Sequence, residues 1–167
     1  MATAEVPTNV SNAELVRWAF EQINKRDVEP LRGFWTPETL ERFPDRTVRG
    51  ADAIVAYFND LFAAVSDMRV DPKSITEQGE DVFVQWQLTG RHTGSFMGVA
   101  PTGKALAIDG MDHFVIRDGK VISNFVVFDR MQFAQQLGMA AQDGTPADRA
   151  LKRVFNARTK LAAKLRR

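Results

Sequence analysis

The chain has 167 residues with no Cys and two His, and its 22 basic residues nearly balance 21 acidic ones. The length predicts one domain with a sizeable core, and the 44% hydrophobic and 26% charged residues exclude a disordered chain, a collagen and a disulfide scaffold. The lack of Cys excludes thiol catalysis and Cys-ligated zinc or iron–sulfur centres. Two His argue against a multi-histidine metal site, so we expect neither a metal nor a cofactor.

The net charge of +1 conceals an uneven distribution along the chain. Residues 141–167 hold eight basic and two acidic residues, whereas residues 1–140 hold 14 basic and 19 acidic residues. The sequence therefore has an acidic body of net charge −5 and a basic tail of net charge +6.

Targeting and membrane signals are absent from the sequence. No stretch approaches the roughly 18 consecutive apolar residues of a membrane span. Residues 1–10 are polar and lack the apolar core of a signal peptide. We therefore expect a cytoplasmic protein without a membrane span, with a disordered N-terminal tail over residues 1–10.

The first part of the chain predicts helices. Ser11 and Glu14 form a capping box, and apolar side chains then recur at helical spacing, which predicts a helix to about residue 26. A short helix is predicted over 29–35, where Pro30 suits a first turn.

The next two segments differ in their patterning. Residues 36–50 contain two Pro and alternate poorly, which predicts a loop with at most one short strand. Residues 52–65 place apolar side chains on one helical face and predict a second amphipathic helix.

From residue 68 onward the hydrophobic period changes to alternation, which predicts strands. Gly110 inside the third of these strands predicts a bulge or a bend, and residues 117–120 are a hairpin-turn signal. The predicted order of helices followed by strands is typical of an α+β fold. The strands are expected over 68–76, 81–92, 104–116 and 120–129.

The last part of the chain predicts two more helices. A short one ends at Gly138, and a helix-prone segment covers 147–167 after a linker. The predicted organisation is therefore a tail over 1–10, an α+β domain over 11–138, and a linker with a basic helix over 139–167.

The basic helix has three interpretations. It packs on its own body or on a sister subunit, it binds an anionic surface, or it is a solvated extension. The acidic body favours the first, because opposite net charges favour docking. The helix lacks the interleaved aromatic residues of single-stranded nucleic-acid binding, so we expect no nucleic-acid partner.

A series of short motifs runs through the middle of the chain in a fixed order. Together they resemble the SnoaL-like polyketide cyclases and ester cyclases over roughly residues 11–138. The motifs are GRHTGSFMGVAPTG at 90–103, Gly110-Met111-Asp112, RDGKV at 117–121, Asp129, Gln136-Leu137-Gly138, and helix 52–65 followed by SDMRV at 66–70.

The resemblance implies the nuclear-transport-factor-two-like fold. This fold is a cone-shaped α+β barrel, in which a strongly curved mixed or antiparallel sheet packs on the N-terminal helices around a central cavity. The C-terminal helical extension lies outside the resemblance. The same fold also carries isomerases, dehydratases and non-enzymatic binders, so the fold alone does not fix the function.

The resemblance also implies where the catalytic groups stand. Characterised cyclases of this family close a ring by an intramolecular aldol step without a metal or organic cofactor, using a carboxylate on the last strand and a His on the preceding one. Counted from the 118–120 turn, these positions fall on Val126 and Asp112, so the sequence departs from the cyclase pattern at both. Many uncharacterised relatives share the Asp at the position of Asp112.

Three residues are candidates for catalysis. A carboxylate such as Asp112 facing an apolar cavity is poorly solvated and suits acid–base work, although an Asp can also pair with an Arg or cap a bulge. His92 can orient a substrate, act as an acid–base group, or fix its loop by backbone hydrogen bonds. Asn124 shares the inward face by period two, and can donate to an enolate oxygen or satisfy a backbone group.

A further set of residues is expected to bind the substrate at the cavity wall. The alternative for its aromatic members is simple packing in the core. The set consists of Glu41, Trp18, Trp35, Tyr57, Phe58, Trp86, Phe114, Val126 and Phe128.

The sequence leads to two hypotheses of function. The first is a cofactor-independent acid–base enzyme, a cyclase, isomerase or dehydratase, acting on a small, largely apolar, polyketide-like or other secondary-metabolite substrate. In it Asp112 moves a proton, and Asn124 and His92 orient an oxygen. The second is a non-catalytic binding or assembly module, which Val126 at the carboxylate position favours. The resemblance also implies a homodimer formed through the outer face of the sheet.

Overall fold

The computed structural model describes residues 5–165, which form two units divided after Asp129. The first unit contains two α-helices, one 3-10 helix and six strands, and the second contains two helices. In chain order the elements are α1 (Asn12–Asn24), the 3-10 helix (Glu29–Gly33), β1 (Trp35–Arg42), β2 (Thr47–Arg49), α2 (Gly50–Ala64), β3 (Arg69–Gln78), β4 (Asp81–Arg91), β5 (Ala105–Arg117), β6 (Lys120–Phe128), α3 (Arg130–Leu137) and α4 (Pro146–Leu165).

The predicted capping box opens α1. The Glu14 backbone N–H donates to Ser11 Oγ at 3.2 Å, and the Ser11 N–H donates to Glu14 Oε2 at 2.8 Å. The helix ends at Asn24, and Arg26 then takes a left-handed conformation with φ of 59°. Its guanidinium donates to the carbonyls of Phe62 and Ser66 at the end of α2, which ties the two helices together.

The sheet is mixed and open. Its strand order is β2-β1-β6-β5-β4-β3, with β2 and β3 at the edges. Strands β1 and β6 run parallel, and all other neighbours run antiparallel. Helix α1 packs mainly against β3, and α2 packs mainly against β1. The predicted α+β architecture is confirmed, with a sheet that does not close on itself.

The segment 36–50 is a correction, because two strands, one of eight residues, lie where a loop with at most one short strand was predicted. In β1 the buried residues are Trp35, Thr39 and Glu41, two of which are polar, and their spacing is irregular. The register with β6 also shifts between Trp35 and Leu40. Polar residues and a register shift together hide the alternation that would reveal a strand.

The bulge that was one alternative at Gly110 is a second correction, whereas the other alternative, a bend, stays a prediction. The pairing of β4 with β5 runs without a break from Asp81 opposite Val115 to Arg91 opposite Ala105, so no bulge occurs at Gly110. The predicted hairpin turn between β5 and β6 is confirmed, and Asp118 and Gly119 have φ angles of 50° and 70° there. Positive φ at both central residues is typical of a tight hairpin turn.

The second unit contains the two predicted C-terminal helices. Helix α3 ends before Gly138, whose φ of 80° is typical of a residue that ends a helix. Near the start of α4, Asp148 accepts hydrogen bonds from the Gly144 N–H and from Lys152 Nζ. Residues 166–167 of the predicted basic helix and residues 1–4 of the predicted tail lie outside the described residues.

Residues 5–10 contain neither a helix nor a strand. Within the part of the chain that the structure covers, no helix combines the length and apolar character needed to cross a bilayer. The prediction of disorder in the tail stays a prediction.

Candidate active site

Three polar side chains lie together on the inward face of three neighbouring strands. Glu41 on β1 is the pairing partner of Asn124 on β6, and Asp112 on β5 is the partner of Val126 on β6. Asn124 and Asp112 are therefore diagonal neighbours on one face. Their exposed fractions are 3% for Glu41, 3% for Asn124 and 8% for Asp112, among buried apolar residues. We call these three residues the carboxyl cluster.

Asn124 connects the two carboxyl groups. Side-chain hydrogen bonds from Asn124 lower the pKa of both Glu41 and Asp112. A hydrogen bond lowers the pKa of a carboxyl group when its partner donates to the ionised form. The amide NH₂ of Asn124 therefore faces the two carboxyl groups.

Two indole rings complete the hydrogen bonding of the carboxyl groups. Trp86 Nε1 donates to Asp112 Oδ1 at 3.0 Å, in a buried hydrogen bond between β4 and β5. Trp35 forms a side-chain hydrogen bond that lowers the pKa of Glu41. Each carboxyl group thus accepts a hydrogen bond from one indole ring, and the two groups share the amide of Asn124.

Burial nonetheless dominates the ionisation of the pair. Loss of water raises the pKa of Asp112 to about 7. Burial, and secondly the negative charge of Asp112, raises the pKa of Glu41 to about 8. Two interacting carboxyl groups titrate as a pair. Near neutral pH, Glu41 and Asp112 together therefore carry about one proton. One group can then act as an acid while the other acts as a base.

Gly110 positions the indole of Trp86. The two residues face each other across the β4–β5 pair, and a Cβ atom at Gly110 would lie 2.2 Å from the indole ring. The ring therefore lies across β5 in the space that a side chain at residue 110 would fill. This placement brings Nε1 to Asp112, two residues further along the same strand.

Aromatic side chains surround the Glu41 side of the cluster. Trp35 stacks on Phe58 of α2 with ring centroids 6.1 Å apart, and Tyr57 stacks on Phe43 at 3.7 Å. Burial, and secondly the charge of Asp45, raises the pKa of Tyr57 above its usual range, and the Tyr57 hydroxyl donates to Asp45 Oδ1 at 3.2 Å. Phe43 was absent from the predicted set, because it follows a strand that the sequence pattern concealed.

The other predicted wall residues take different positions. Phe114 is buried opposite Asn124, Val126 is buried opposite Asp112, and half-buried Phe128 is the partner of Gly110. Trp18 instead packs edge-on against Phe34, with centroids 6.5 Å apart. That these residues contact a substrate, and that a central cavity holds it, stay predictions.

His92 lies away from the carboxyl cluster. It follows Val84, the partner of Asp112, by eight residues, which is about 25 Å along an extended strand. The imidazole is fully buried, and its Nδ1 accepts a hydrogen bond from the Thr102 N–H at 3.3 Å. Burial lowers the pKa of His92, which favours the neutral ring. This geometry fits the alternative in which His92 fixes its loop.

His113 faces outward, as strand alternation predicts. Its Nε2 lies 2.6 Å from Asp81 Oδ1, and its ring stacks on Phe83 with centroids 4.3 Å apart.

Within residues 5–165, no three His, Asp or Glu side chains are grouped so that they could hold a metal ion.

Comparisons with known proteins identify similar chains. The model of the SnoaL-like polyketide cyclase family matches residues 13–137. AclR from Streptomyces galilaeus, a proposed hydroxylase, is 26% identical with a TM-score of 0.68, and the match covers 92% of this chain and 94% of that one. A proposed SnoaL-like polyketide cyclase from Jannaschia sp. CCS1 is 24% identical with a TM-score of 0.70, covering 84% and 99%.

A third solved structure shows the fold alone. It is a protein with a ketosteroid isomerase-like fold from Catenulispora acidiphila, in complex with trimethylamine, and it is 15% identical with a TM-score of 0.67 over 81% of this chain and all of that one. No curated protein sequence matches the chain.

We predict that Gly110→Ala destabilises the protein by about 1–3 kcal/mol, because the new methyl group displaces the indole of Trp86. In a Trp86→Phe background the same substitution should cost less, because the smaller ring leaves space. Urea unfolding of the two single variants and the double variant measures this coupling. Additive costs in the three variants would contradict the assigned contact.

We predict that protein stability falls as pH rises from about 4.5 to 8. The folded-state pKa values of Glu41 and Asp112 exceed their unfolded values, so the folded protein binds more protons in this window. Glu41→Gln should flatten the dependence and raise stability at pH 8 by on the order of a few kcal/mol. Thermal unfolding from pH 4.5 to 8.5 tests this, with exposed Glu38→Gln as the control. Parallel curves for wild type and Glu41→Gln would refute it.

Proposed function

Because the chain belongs to the SnoaL-like polyketide cyclase family, we propose that it is a cofactor-independent acid–base enzyme of the cyclase, isomerase or dehydratase type. The observation that carries this proposal is the buried pair of Glu41 and Asp112, connected through Asn124. The substrate is a small, largely apolar carbonyl compound, polyketide-like or another secondary metabolite, since the side chains around the cluster are mostly aromatic and aliphatic.

The two carboxyl groups take different roles in the proposed reaction. Asp112, with the lower pKa, is the base, and Glu41, with the higher pKa, is the acid. Asp112 removes a proton from the carbon next to the substrate carbonyl, and the C–H electron pair becomes a C=C bond. The carbonyl oxygen takes the proton of Glu41, so that an enol forms without a free enolate charge.

The enol accounts for all three reaction types. Attack of the enol carbon on a second carbonyl closes a ring, and return of the proton at another carbon isomerises the substrate. Departure of a hydroxyl group with a proton from the acid eliminates water. Hydrogen bonds from Trp86 and Asn124 hold the Asp112 carboxyl group in place on β5. His92 has no role in this step, since it lies beyond the end of β4, eight residues after the partner of Asp112.

We predict that the protein catalyses exchange of the α-protons of 2-tetralone in D₂O, measured by proton NMR. Asp112→Asn should lower the rate by at least about 100-fold, because it removes the base. Glu41→Gln should lower it by a smaller factor, because a glutamine amide still donates to the carbonyl oxygen. Asp109→Asn, on the exposed side of the same strand, is the control and should leave the rate unchanged.

Two results would count against the enzyme. An unchanged exchange rate in Asp112→Asn would remove the assigned base. Binding of the ketone by the wild-type protein without exchange above the buffer rate would favour the second hypothesis, a binding module that uses the same interior without catalysis.

We also propose that two copies of the chain pair through the outer face of the sheet. Neighbouring positions of β4, β5 and β6 there expose large apolar side chains, 40–48% accessible. Large apolar side chains exposed together in this way are costly in water and typical of an interface. Its members are Phe83, Met111, Phe125 and Val127.

We predict that the wild-type protein sediments as a dimer at micromolar concentration. Met111→Lys should raise the dimer dissociation constant at least tenfold, because the new charge would be buried between two apolar patches. Glu21→Lys, on the exposed side of α1, should leave it unchanged. Analytical ultracentrifugation measures both. A monomeric wild type, or a Met111→Lys variant as dimeric as the wild type, would refute the interface.

A further inference from the structure

The carbonyl oxygen of Asn124 is buried without a hydrogen bond. Asn124 is 3% exposed, and among the described residues no donor reaches its Oδ1. More than nine in ten buried polar groups in folded proteins have a partner, so each exception calls for an explanation. Here the exception lies inside the carboxyl cluster, beside the proposed acid and base.

The orientation of the Asn124 amide explains why this oxygen lacks a donor. Its NH₂ group faces Glu41 and Asp112, since the bonds it makes lower the pKa of both carboxyl groups. The oxygen therefore points away from both carboxyl groups. The flanking inward side chains are Phe114, opposite Asn124, and Val126, two residues along β6, and neither carries a donor.

This arrangement changes the role that the sequence suggested for Asn124. As a donor to an enolate oxygen, the amide would need a free N–H, but its N–H groups already serve the two carboxyl groups. The atom left for a ligand is an acceptor. A buried acceptor next to a proton-transfer pair fits a hydroxyl group of the substrate, which is a strong donor and is compatible with an otherwise apolar molecule.

We propose that Asn124 Oδ1 accepts a hydrogen bond from a substrate hydroxyl, so that the site selects hydroxycarbonyl compounds. The proposal rests on the proposed function, because the same ligand must place its carbonyl at Glu41. Glu41 and Asn124 are paired positions on adjacent strands, about 4.8 Å apart. The ligand must therefore carry both a hydroxyl and a carbonyl group, and an α-hydroxycarbonyl compound, which has them on neighbouring carbon atoms, serves as the probe.

The pairing also gives the selectivity a physical basis. A site built to bond a substrate hydroxyl discriminates strongly against an analogue that lacks it, because the protein acceptor then remains buried and unpaired. Methylation of the hydroxyl keeps the oxygen and the ring system but removes the donor. A hydroxyl–methoxy pair of ligands therefore isolates the contact to Asn124.

Calorimetric titration of the 167-residue chain with 2-hydroxy-1-tetralone and with 2-methoxy-1-tetralone tests the proposal. We expect the hydroxyl compound to bind at least tenfold more tightly to the wild type. Asn124→Leu, which keeps the shape but removes the acceptor, should bind both compounds equally. Ser123→Ala, at the neighbouring position on the other face of β6, is the matched control and should keep the preference.

Each outcome of this experiment decides the proposal. Equal affinities, or no binding of the hydroxyl compound by the wild type, would overturn it without any variant. A preference that persists in Asn124→Leu would overturn the role of Asn124. The proposed function fails separately: a hydroxyl preference in a protein that does not exchange the α-protons of 2-tetralone would remove the enzyme and keep the contact.

Discussion

The candidate site depends on the burial of two carboxyl groups in one apolar interior. An ionised carboxylate loses much of its hydration there, and two of them side by side also repel each other. Sharing a proton removes the repulsion, and donors offset the remaining charge. Three side chains supply those donors: Asn124, Trp86 and Trp35. Each of them lies on a different strand. The ionisation of the cluster is therefore set by the sheet as a whole.

The parallel pairing of β1 with β6 is what brings the second carboxyl group to the first. Glu41 and Asn124 are 83 positions apart in the chain, and only this long-range contact makes them partners. Without it, Asp112 would be a single buried acid held by an indole. With it, the cluster gains Glu41, whose pKa is higher than that of Asp112. The fold thus places two buried carboxyl groups side by side, which the proposed reaction uses as acid and base.

The sequence predicted the part of the site that lies in regular strands. Alternation in the second half of the chain located four of the strands, and period two placed Asp112, Asn124 and Val126 on one inward face, as the structure has them. Glu41 was expected only as a wall residue, because buried polar residues and a register shift conceal β1. The role of Gly110 was also hidden, since the ring that needs its space belongs to another strand. No local pattern contains such information.

Val126 acquires a different meaning in this context. By resemblance it stands where the characterised cyclases of this family have a carboxylate, and its presence first favoured a binding module. Its direct partner on the neighbouring strand is Asp112. Side chains of directly paired residues have Cβ atoms about 4.5–5.5 Å apart. A carboxyl group at Asp112 therefore lies beside the space that one at residue 126 would occupy. In the proposed reaction the base Asp112 lies one strand away from residue 126, and the last strand contributes Asn124.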